Sequence, residues 1–264
     1  MSQALLSSDS SSPELLATHA KLERINNRPE KARKIYKVAL SSLSENEGAS
    51  VVQLYWDAAE FEWLSSSNDA ALEIIFRAVR QTGVRSGVQL LRAKRRLEDL
   101  AQETSGKPWK YRILWIKLRI LIELLTGTLE KAIEFAEECE KRELVANHRH
   151  EAIAIAKLLL VYNYTKTLRN PAATILLRDL VKNAVETYPD NTIVLGLFLE
   201  CEKGEGVWGR VRGLMSEYAV GTIREKSVVR RIFDVWIGNW EEGRWLGEVE
   251  RIRAGLEAGI NSDR

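Results

Sequence analysis

Six residues late in the chain have the spacing of a phosphate-binding loop. The run Gly204-Glu205-Gly206-Val207-Trp208-Gly209 matches the pattern Gly-x-Gly-x-x-Gly. In a dinucleotide site this pattern follows a β-strand and opens a helix, so that backbone N–H groups cradle the pyrophosphate. The segment before Gly204 has the periodicity of a helix, so the loop lacks that context. We therefore predict a turn between two helices and no cofactor.

Histidine and cysteine are the residues best suited to hold a metal ion. His148 and His150 flank Arg149, and residues so spaced do not share a helix face. Cys139 is a third candidate, but the sequence places no fourth ligand. We predict capping or surface histidines instead. The chain also lacks a Gly-x-Ser-x-Gly motif, and its carboxylates fit solvated or repeat-packing helix faces, so we predict no enzyme and no small-molecule substrate.

A basic cluster is the best candidate for contact with a ligand. Arg92, Arg95 and Arg96 share a helix face because they are spaced three and four residues apart. Five further cations follow: Lys107, Lys110, Arg112, Lys117 and Arg119. Such a ridge would bind RNA phosphates with an affinity that falls as salt rises. The alternative, which we favour, is a solvated face, because charge runs on helices usually face solvent and here acidic partners are near: Glu98, Asp99 and Glu103.

The 8 tryptophans divide into two groups. Trp56, Trp63, Trp109 and Trp115 lie in apolar stretches, and we predict them to be core residues. The second group, with one phenylalanine, lies near the C-terminus: Phe233, Trp236, Trp240 and Trp245. We interpret this group as a cap that closes the end of a helical stack. The alternative is an exposed anchor for a protein partner.

The elements that position these residues are predicted to be helices nearly throughout 13–258. Apolar residues recur at helical spacing, and neither a hairpin signal nor sustained alternation indicates a strand. Asn27 is predicted to cap the helix that begins at Pro29, with Glu30 reaching back to it. Thr128, Asn170-Pro171 and Pro189-Asp190 mark later helix starts. Residues 1–12 and 259–264 are expected to be disordered tails.

Two segments repeat each other with a shift of 39 residues. Residues 32–40 can be laid over residues 71–79, which moves Ala32 onto Ala71 and keeps small, apolar and aromatic residues in register. Helical solenoids repeat every roughly 34 to 47 residues. We therefore predict an all-α fold, an α-solenoid of antiparallel helix pairs. The residues expected to pack the repeats are Ala32, Ile35, Tyr36, Ala39, Tyr55, Phe61, Glu62, Ala71, Ile75 and Ala78.

The run Tyr55-Trp56-Asp57-Ala58-Ala59-Glu60-Phe61-Glu62 resembles the first helix of a half-a-tetratricopeptide (HAT) repeat. The run Ala32-Arg33-Lys34-Ile35-Tyr36-Lys37-Val38-Ala39-Leu40 resembles the second helix of that repeat. Lys37 and Val38 depart from the usual Glu-Arg, Ala58 departs from the usual Tyr, and residues 105–168 fit the pattern badly. The resemblance implies a HAT/TPR-like superhelix over residues 13–258 that acts as a scaffold in nuclear or nucleolar RNA processing.

The order of segments over most of residues 29–258 is similar to the C-terminal region of the nuclear-RNAi-defective-two family. The segments that carry this resemblance are Trp109…Leu114-Trp115, His150-Glu151-Ala152 to Tyr164, Leu176-Leu177-Arg178, Tyr188-Pro189-Asp190-Asn191 and Leu197-Phe198-Leu199-Glu200. It implies protein partners among splicing and exosome-linked factors, and action in RNA surveillance or silencing. The family's helicase-binding segment precedes the region that this chain resembles, so the resemblance does not imply helicase binding.

Composition agrees with a soluble nuclear protein. The formal net charge of +2 confines any nucleic-acid site to a local patch. The 2 cysteines lie far apart, which suits a reducing compartment. The most apolar stretch, Ile113 to Leu125, contains three charged residues and is too short for the about 20 residues that a bilayer span needs. We therefore expect a nuclear localisation and no membrane contact, with protein partners and RNA as the candidate ligands.

Overall fold

A computed structural model describes residues 13–43, 49–81, 86–103, 109–143 and 147–202 of the chain. These residues form ten α-helices and contain no strand. The helices are α1 (Pro13–Ile25), α2 (Pro29–Ser41), α3 (Ala49–Leu64), α4 (Asn68–Ala78), α5 (Gly87–Glu103), α6 (Trp109–Thr126), α7 (Leu129–Arg142), α8 (Asn147–Leu168), α9 (Pro171–Thr187) and α10 (Thr192–Glu202). The predicted all-α fold is confirmed for the described residues.

The chain divides into two compact units, Met1–Leu168 and Arg169–Arg264. Helices α1 to α8 belong to the first unit, and α9 and α10 belong to the second. In the first unit α1 packs on α2, α3 on α4, α5 on α6 and α7 on α8, while α9 packs on α10 in the second. Further contacts in the first unit join α1 to α3, α3 to α6 and α6 to α8.

Polar side chains begin several helices. Thr128 and Asn170 each accept a hydrogen bond from a backbone N–H in the first turn of α7 and α9, which confirms both predicted starts. Asn191 does the same for α10, which begins at Thr192. Each cap satisfies a donor that the first turn of a helix leaves without a partner.

The predicted cap at Asn27 is wrong. Asn27 has a φ of 58° and belongs to the turn that ends α1. The residue that precedes α2 is Arg28, and its side chain makes no capping hydrogen bond. Glu30 does not reach back to Asn27 but accepts a hydrogen bond from Arg33 NH1 at 2.7 Å.

The turn between α1 and α2 recurs between α3 and α4, 39 residues along the chain. In each turn two N–H groups bond back to carbonyls of the last helical turn, the pattern of a Schellman motif. The bonds run from Asn27 to Arg24 (3.0 Å), from Arg28 to Glu23 (2.9 Å), from Ser66 to Trp63 (2.9 Å) and from Ser67 to Glu62 (2.9 Å). The sequence register of 39 residues is therefore also the register of the backbone turns.

Small residues form the core between α1, α2 and α3. Ala20 and Ala58 are fully buried there, as is Ala32, and the rings of Tyr36 and Phe61 meet at 5.6 Å between centroids. Alanine leaves room for the helix backbones to approach, and the rings fill the remaining space. This packing accounts for a core built with few large aliphatic side chains.

Helix α6 is the most buried element of the described first unit. It contacts α3, α4, α5, α7 and α8, and most of its side chains are buried. Trp56, Trp63 and Trp115 lie in the interior as predicted, whereas Trp109, the first residue of α6, is only half-buried. No helix among the described residues has both the length and the apolarity that crossing a membrane requires.

Candidate functional site

Helix α5 carries the arginines of the predicted basic ridge on its outer face. Arg92, Arg95 and Arg96 are all exposed, and small and aliphatic residues on the opposite face are buried. Arg96 NH1 lies 2.8 Å from Glu103 Oε1, so this arginine is paired on the surface. Arg92 and Arg95 form no ion pair with any residue that the structure describes. Two uncompensated positive charges therefore remain on this face.

The prediction that the ridge continues along α6 is wrong for three of its five cations. Arg112 pairs with the buried Glu143, and Arg119 Nε lies 2.8 Å from Glu98 Oε1. Lys117 is half-buried, with its Nζ 5.3 Å from the centre of the Trp56 ring. These side chains turn inward because α6 is covered by neighbouring helices on most sides. Of the remaining two, Lys110 is exposed on α6 and Lys107 lies outside the described residues.

Two exposed aliphatic residues share the outer face of α5, and sequence reasoning missed them. Val88 is 58% exposed and Leu91 is 67% exposed. Together with Arg92 and Arg95 they occupy positions i, i+3, i+4 and i+7 of the helix, which lie on one side. The spacing of these four residues was present in the sequence, but only the structure decides which face of α5 is covered.

A network of charged side chains joins α5 to α6 in the interior. Glu123, 6% exposed, accepts hydrogen bonds from Lys94 Nζ at 2.5 Å and from Arg119 NH1 at 2.7 Å. Arg119 also lies over the Phe135 ring, 4.6 Å from its centre. Burial opposes ionisation of Glu123, but the two cations more than offset it and lower the pKa of this carboxyl group. The network binds its members to one another and offers no free group for chemistry.

A second cluster of charges lies between α1, α3 and α6. Lys21 Nζ is 2.8 Å from Asp57 Oδ2, and Arg24 NH1 is 3.7 Å from Glu60 Oε2. Burial raises the pKa of Glu60, and Arg24 and Lys117 counter part of that shift. Burial likewise lowers the pKa of Lys117, and Glu60 counters part of that shift. The cations and carboxylates here stabilise each other across the helices.

A third cluster lies where α6, α7 and α8 meet. Arg112 and Arg149 both pair with Glu143, and both guanidinium groups lie over the Trp109 ring, at 5.7 and 5.5 Å from its centre. The nearby Cys139 is buried, and burial raises the pKa of its thiol to about 11. Such a thiol remains protonated and is a poor metal ligand or nucleophile near neutral pH.

The predicted histidine ligands do not assemble in the described part of the chain. His148 is exposed and His150 is half-buried, both in the first turn of α8. Among the described residues no group of three His, Cys, Asp or Glu side chains is placed to hold a metal ion.

The residues predicted to pack the repeats fall into two degrees of burial. Ala32, Tyr36, Ala39, Phe61, Glu62, Ala71 and Ile75 are buried, and Ile35, Tyr55 and Ala78 are half-buried. Ala32 and Ala71, which the sequence register superposes, are each 0% exposed. The polar member, Glu62, is held by Arg33, whose Nε lies 2.8 Å from Glu62 Oε1.

Two predicted features lie outside the described residues. They are the glycine-rich run 204–209 and the aromatic group Phe233, Trp236, Trp240 and Trp245. Comparison with known proteins adds no identification, because neither a protein-family model nor a curated protein sequence matches the chain.

Proposed function

We propose that the chain is a non-enzymatic helical-repeat scaffold, an α-solenoid that brings protein partners together in nuclear RNA processing. The observation that carries the proposal is the repetition of one helix–turn–helix unit, with the same turn geometry and the same 39-residue shift in both copies. A unit of this kind cannot bury its own apolar face, so units stack and leave long outer surfaces for partners.

Contacts across the stack support a solenoid register. Lys21 and Arg24 of α1 bind Asp57 and Glu60 of α3 in the same order along both helices, so α1 and α3 run parallel. Arg77 of α4 donates to the Leu40 carbonyl of α2 at 2.6 Å, a matching link between the second helices of the two units. Links between equivalent helices of successive units are what stacked antiparallel pairs require.

Later helices fit the same register once α5 is set aside. Helix α6 contacts both helices of the second unit, α3 and α4, as α3 contacts both helices of the first. Arg112 of α6 and Arg149 of α8 meet at Glu143, which places the beginnings of α6 and α8 together. We infer that α1, α3, α6 and α8 form one row of the solenoid, α2, α4 and α7 form the other, and α5 is an additional helix. This extra helix explains why residues 105–168 fit the repeat pattern badly.

Internal pairing of the charged side chains favours a scaffold over an enzyme. The buried carboxylates Glu62, Glu123 and Glu143 are each held by at least one arginine. Paired carboxylates of this kind fix the positions of helices and have no proton to exchange with a substrate. The nuclear RNA-processing context of the proposal comes from the resemblance to HAT proteins.

Affinity purification tests the proposal. The tagged full chain would be incubated with nuclear and cytosolic extracts, and recovered proteins would be identified by mass spectrometry at two salt concentrations. We expect splicing or exosome-linked factors from the nuclear extract. Recovery of only unrelated cytosolic proteins would contradict the proposed context.

A second candidate function is direct RNA binding, which the unpaired Arg92 and Arg95 favour. Filter binding of a labelled oligouridylate over a salt series measures it. Each lost phosphate contact lowers the slope of log affinity against log salt by about 0.7 on a single strand. RNA binding through α5 therefore predicts that Arg92→Gln with Arg95→Gln reduces the slope by about 1.4. An unchanged slope would exclude this site.

A further inference from the structure

The outer face of α5 combines bare aliphatic side chains with bare positive charge. We propose that the first two turns of α5 are a docking site for a helix of a partner protein that presents aliphatic and acidic side chains on one face. The α5 docking face consists of Val88, Leu91, Arg92 and Arg95. The inference rests on the proposed scaffold function and names the surface and the partner chemistry.

Exposure on this face is large and confined to one side of the helix. Val88 and Leu91 are 58% and 67% exposed, although Ala93 and Leu97 on the opposite face are fully buried. The four docking residues follow the i, i+3, i+4, i+7 spacing with which one helix packs against another. Two turns of helix measure about 11 Å, enough for two successive anchors of a partner helix.

Charge complementarity selects an acidic partner. Arg92 and Arg95 have no ion-pair partner in the described part of the chain, whereas the adjacent Arg96 is already paired with Glu103. Both free arginines lie in the first half of α5, nearer to its N-terminal end, where the helix dipole adds positive potential. Carboxylates flanking an apolar stripe would compensate both arginines while Val88 and Leu91 leave water.

The aliphatic residues favour a protein over RNA at this face. Phosphates and sugars gain nothing from contact with Val88 and Leu91, and the described α5 face offers no aromatic ring on which a base could stack. Burial of a leucine against another aliphatic side chain is, in contrast, the usual centre of a helix–helix contact. An RNA ligand would depend on the two arginines alone.

Selection from a phage-displayed library of 16-residue peptides tests the proposal with the intact chain as bait. Peptides that bind the wild type would be counter-selected on Leu91→Ser and then titrated as synthetic peptides by fluorescence anisotropy. We expect enriched peptides to repeat aliphatic residues at i, i+3, i+4 and i+7 with Asp or Glu beside them. Their affinity should fall about fivefold or more in Val88→Ser with Leu91→Ser, and by a similar factor in Arg92→Gln with Arg95→Gln.

Matched controls separate this surface from general stickiness. Ile175 on α9 is 62% exposed, and Ile175→Ser should leave peptide affinity unchanged, as should Lys110→Gln on α6. Circular dichroism would verify that every variant keeps its helix content. The proposal is overturned if no acidic peptide is enriched, or if the Leu91 and Arg92 variants bind as the wild type does. It is also overturned if oligouridylate binding needs the arginines but not Leu91, or if the wild type forms a dimer that Leu91→Ser dissolves.

The outcome is separable from that of the proposed function. A variant with all four docking residues changed that still recovers RNA-processing factors from nuclear extract would sink the docking face and leave the scaffold function intact. Wild-type chain that recovers no such factors would remove the proposed context, whatever the peptides show.

Discussion

Asn27 and Ser66 adopt the same left-handed backbone conformation, with φ of 58° and 60°, at equivalent places in turns that lie 39 residues apart. Asparagine tolerates this region because its short amide side chain makes local hydrogen bonds, whereas serine enters it at a greater steric cost. Glycine has no Cβ and avoids that cost. The turn after α3 is therefore the more strained of the two.

Ser66→Gly is expected to raise the free energy of unfolding by about 0.5 kcal/mol, because relief of the left-handed strain exceeds the added freedom of the unfolded chain. Ser66→Val should lower it by about 1 kcal/mol or more. Urea unfolding followed by circular dichroism measures both changes. Ser65→Gly is the control and should lower stability. If Ser65→Gly and Ser66→Gly have the same effect, the turn is not strained.

The same turn shows what the sequence does and does not determine. The 39-residue shift is visible in the sequence, because small and apolar residues recur in register at Ala32 and Ala71. The role of Asn27 is not visible, because asparagine is favoured both as an N-cap and in the left-handed position after a helix. Only the path of the chain around Arg28 separates these two roles, and it places Asn27 at the end of α1.

Arg33 and Glu62 form a two-pronged contact between α2 and α3, with Nε–Oε1 and NH2–Oε2 distances of 2.8 and 3.2 Å. Arg33→Lys is expected to destabilise the fold by about 1–2 kcal/mol, because an ammonium group cannot engage both carboxylate oxygens in the same plane. Denaturant unfolding of the single variants and of the double variant with Glu62→Gln gives the coupling energy. Arg142→Lys, in the exposed pair with Glu138, should change stability by less than about 0.5 kcal/mol.

Cys139 should be far less reactive than an ordinary thiol. It is 8% exposed, and burial raises its pKa to about 11, whereas a free cysteine has a pKa of about 8.5. In the folded Cys201→Ser variant, reaction with dithiobis(nitrobenzoate) at pH 8 should be slower than in guanidinium by roughly a hundredfold or more. Equal rates in the folded and unfolded states would show that the α6–α7–α8 junction opens readily.

Charge patterns on α5 and α6 mark the limit of prediction from sequence. Arg95 and Arg119 are both cations within strongly helical stretches, yet one faces solvent and the other lies in an ion network. Their difference arises from α6, which neighbouring helices cover on most sides and which draws its charged residues into pairs. Helix periodicity identifies faces but does not say which neighbour covers each face, so the exposed Val88 and Leu91 were missed for the same reason.

Glu123→Gln is expected to lower the free energy of unfolding by about 3 kcal/mol at pH 7, because it leaves Arg119 and Lys94 without their shared carboxylate in the interior. The matched control is Glu138→Gln on α7, whose carboxylate is exposed and pairs with Arg142 at 3.4 Å. That change should cost less than about 0.5 kcal/mol. Urea unfolding at fixed salt measures both.

The pH dependence of this difference follows from the lowered pKa of Glu123. A carboxyl group whose pKa is lower in the folded state than in the unfolded chain contributes its full stabilisation above the unfolded value, about 4.3. The contribution declines as the pH falls through the folded pKa. The gap between wild type and Glu123→Gln should therefore be constant from pH 7 to about 5 and shrink below about pH 4. A gap that is small at pH 7, or that widens in acid, would mean that Lys94 and Arg119 do not stabilise the ionised carboxylate.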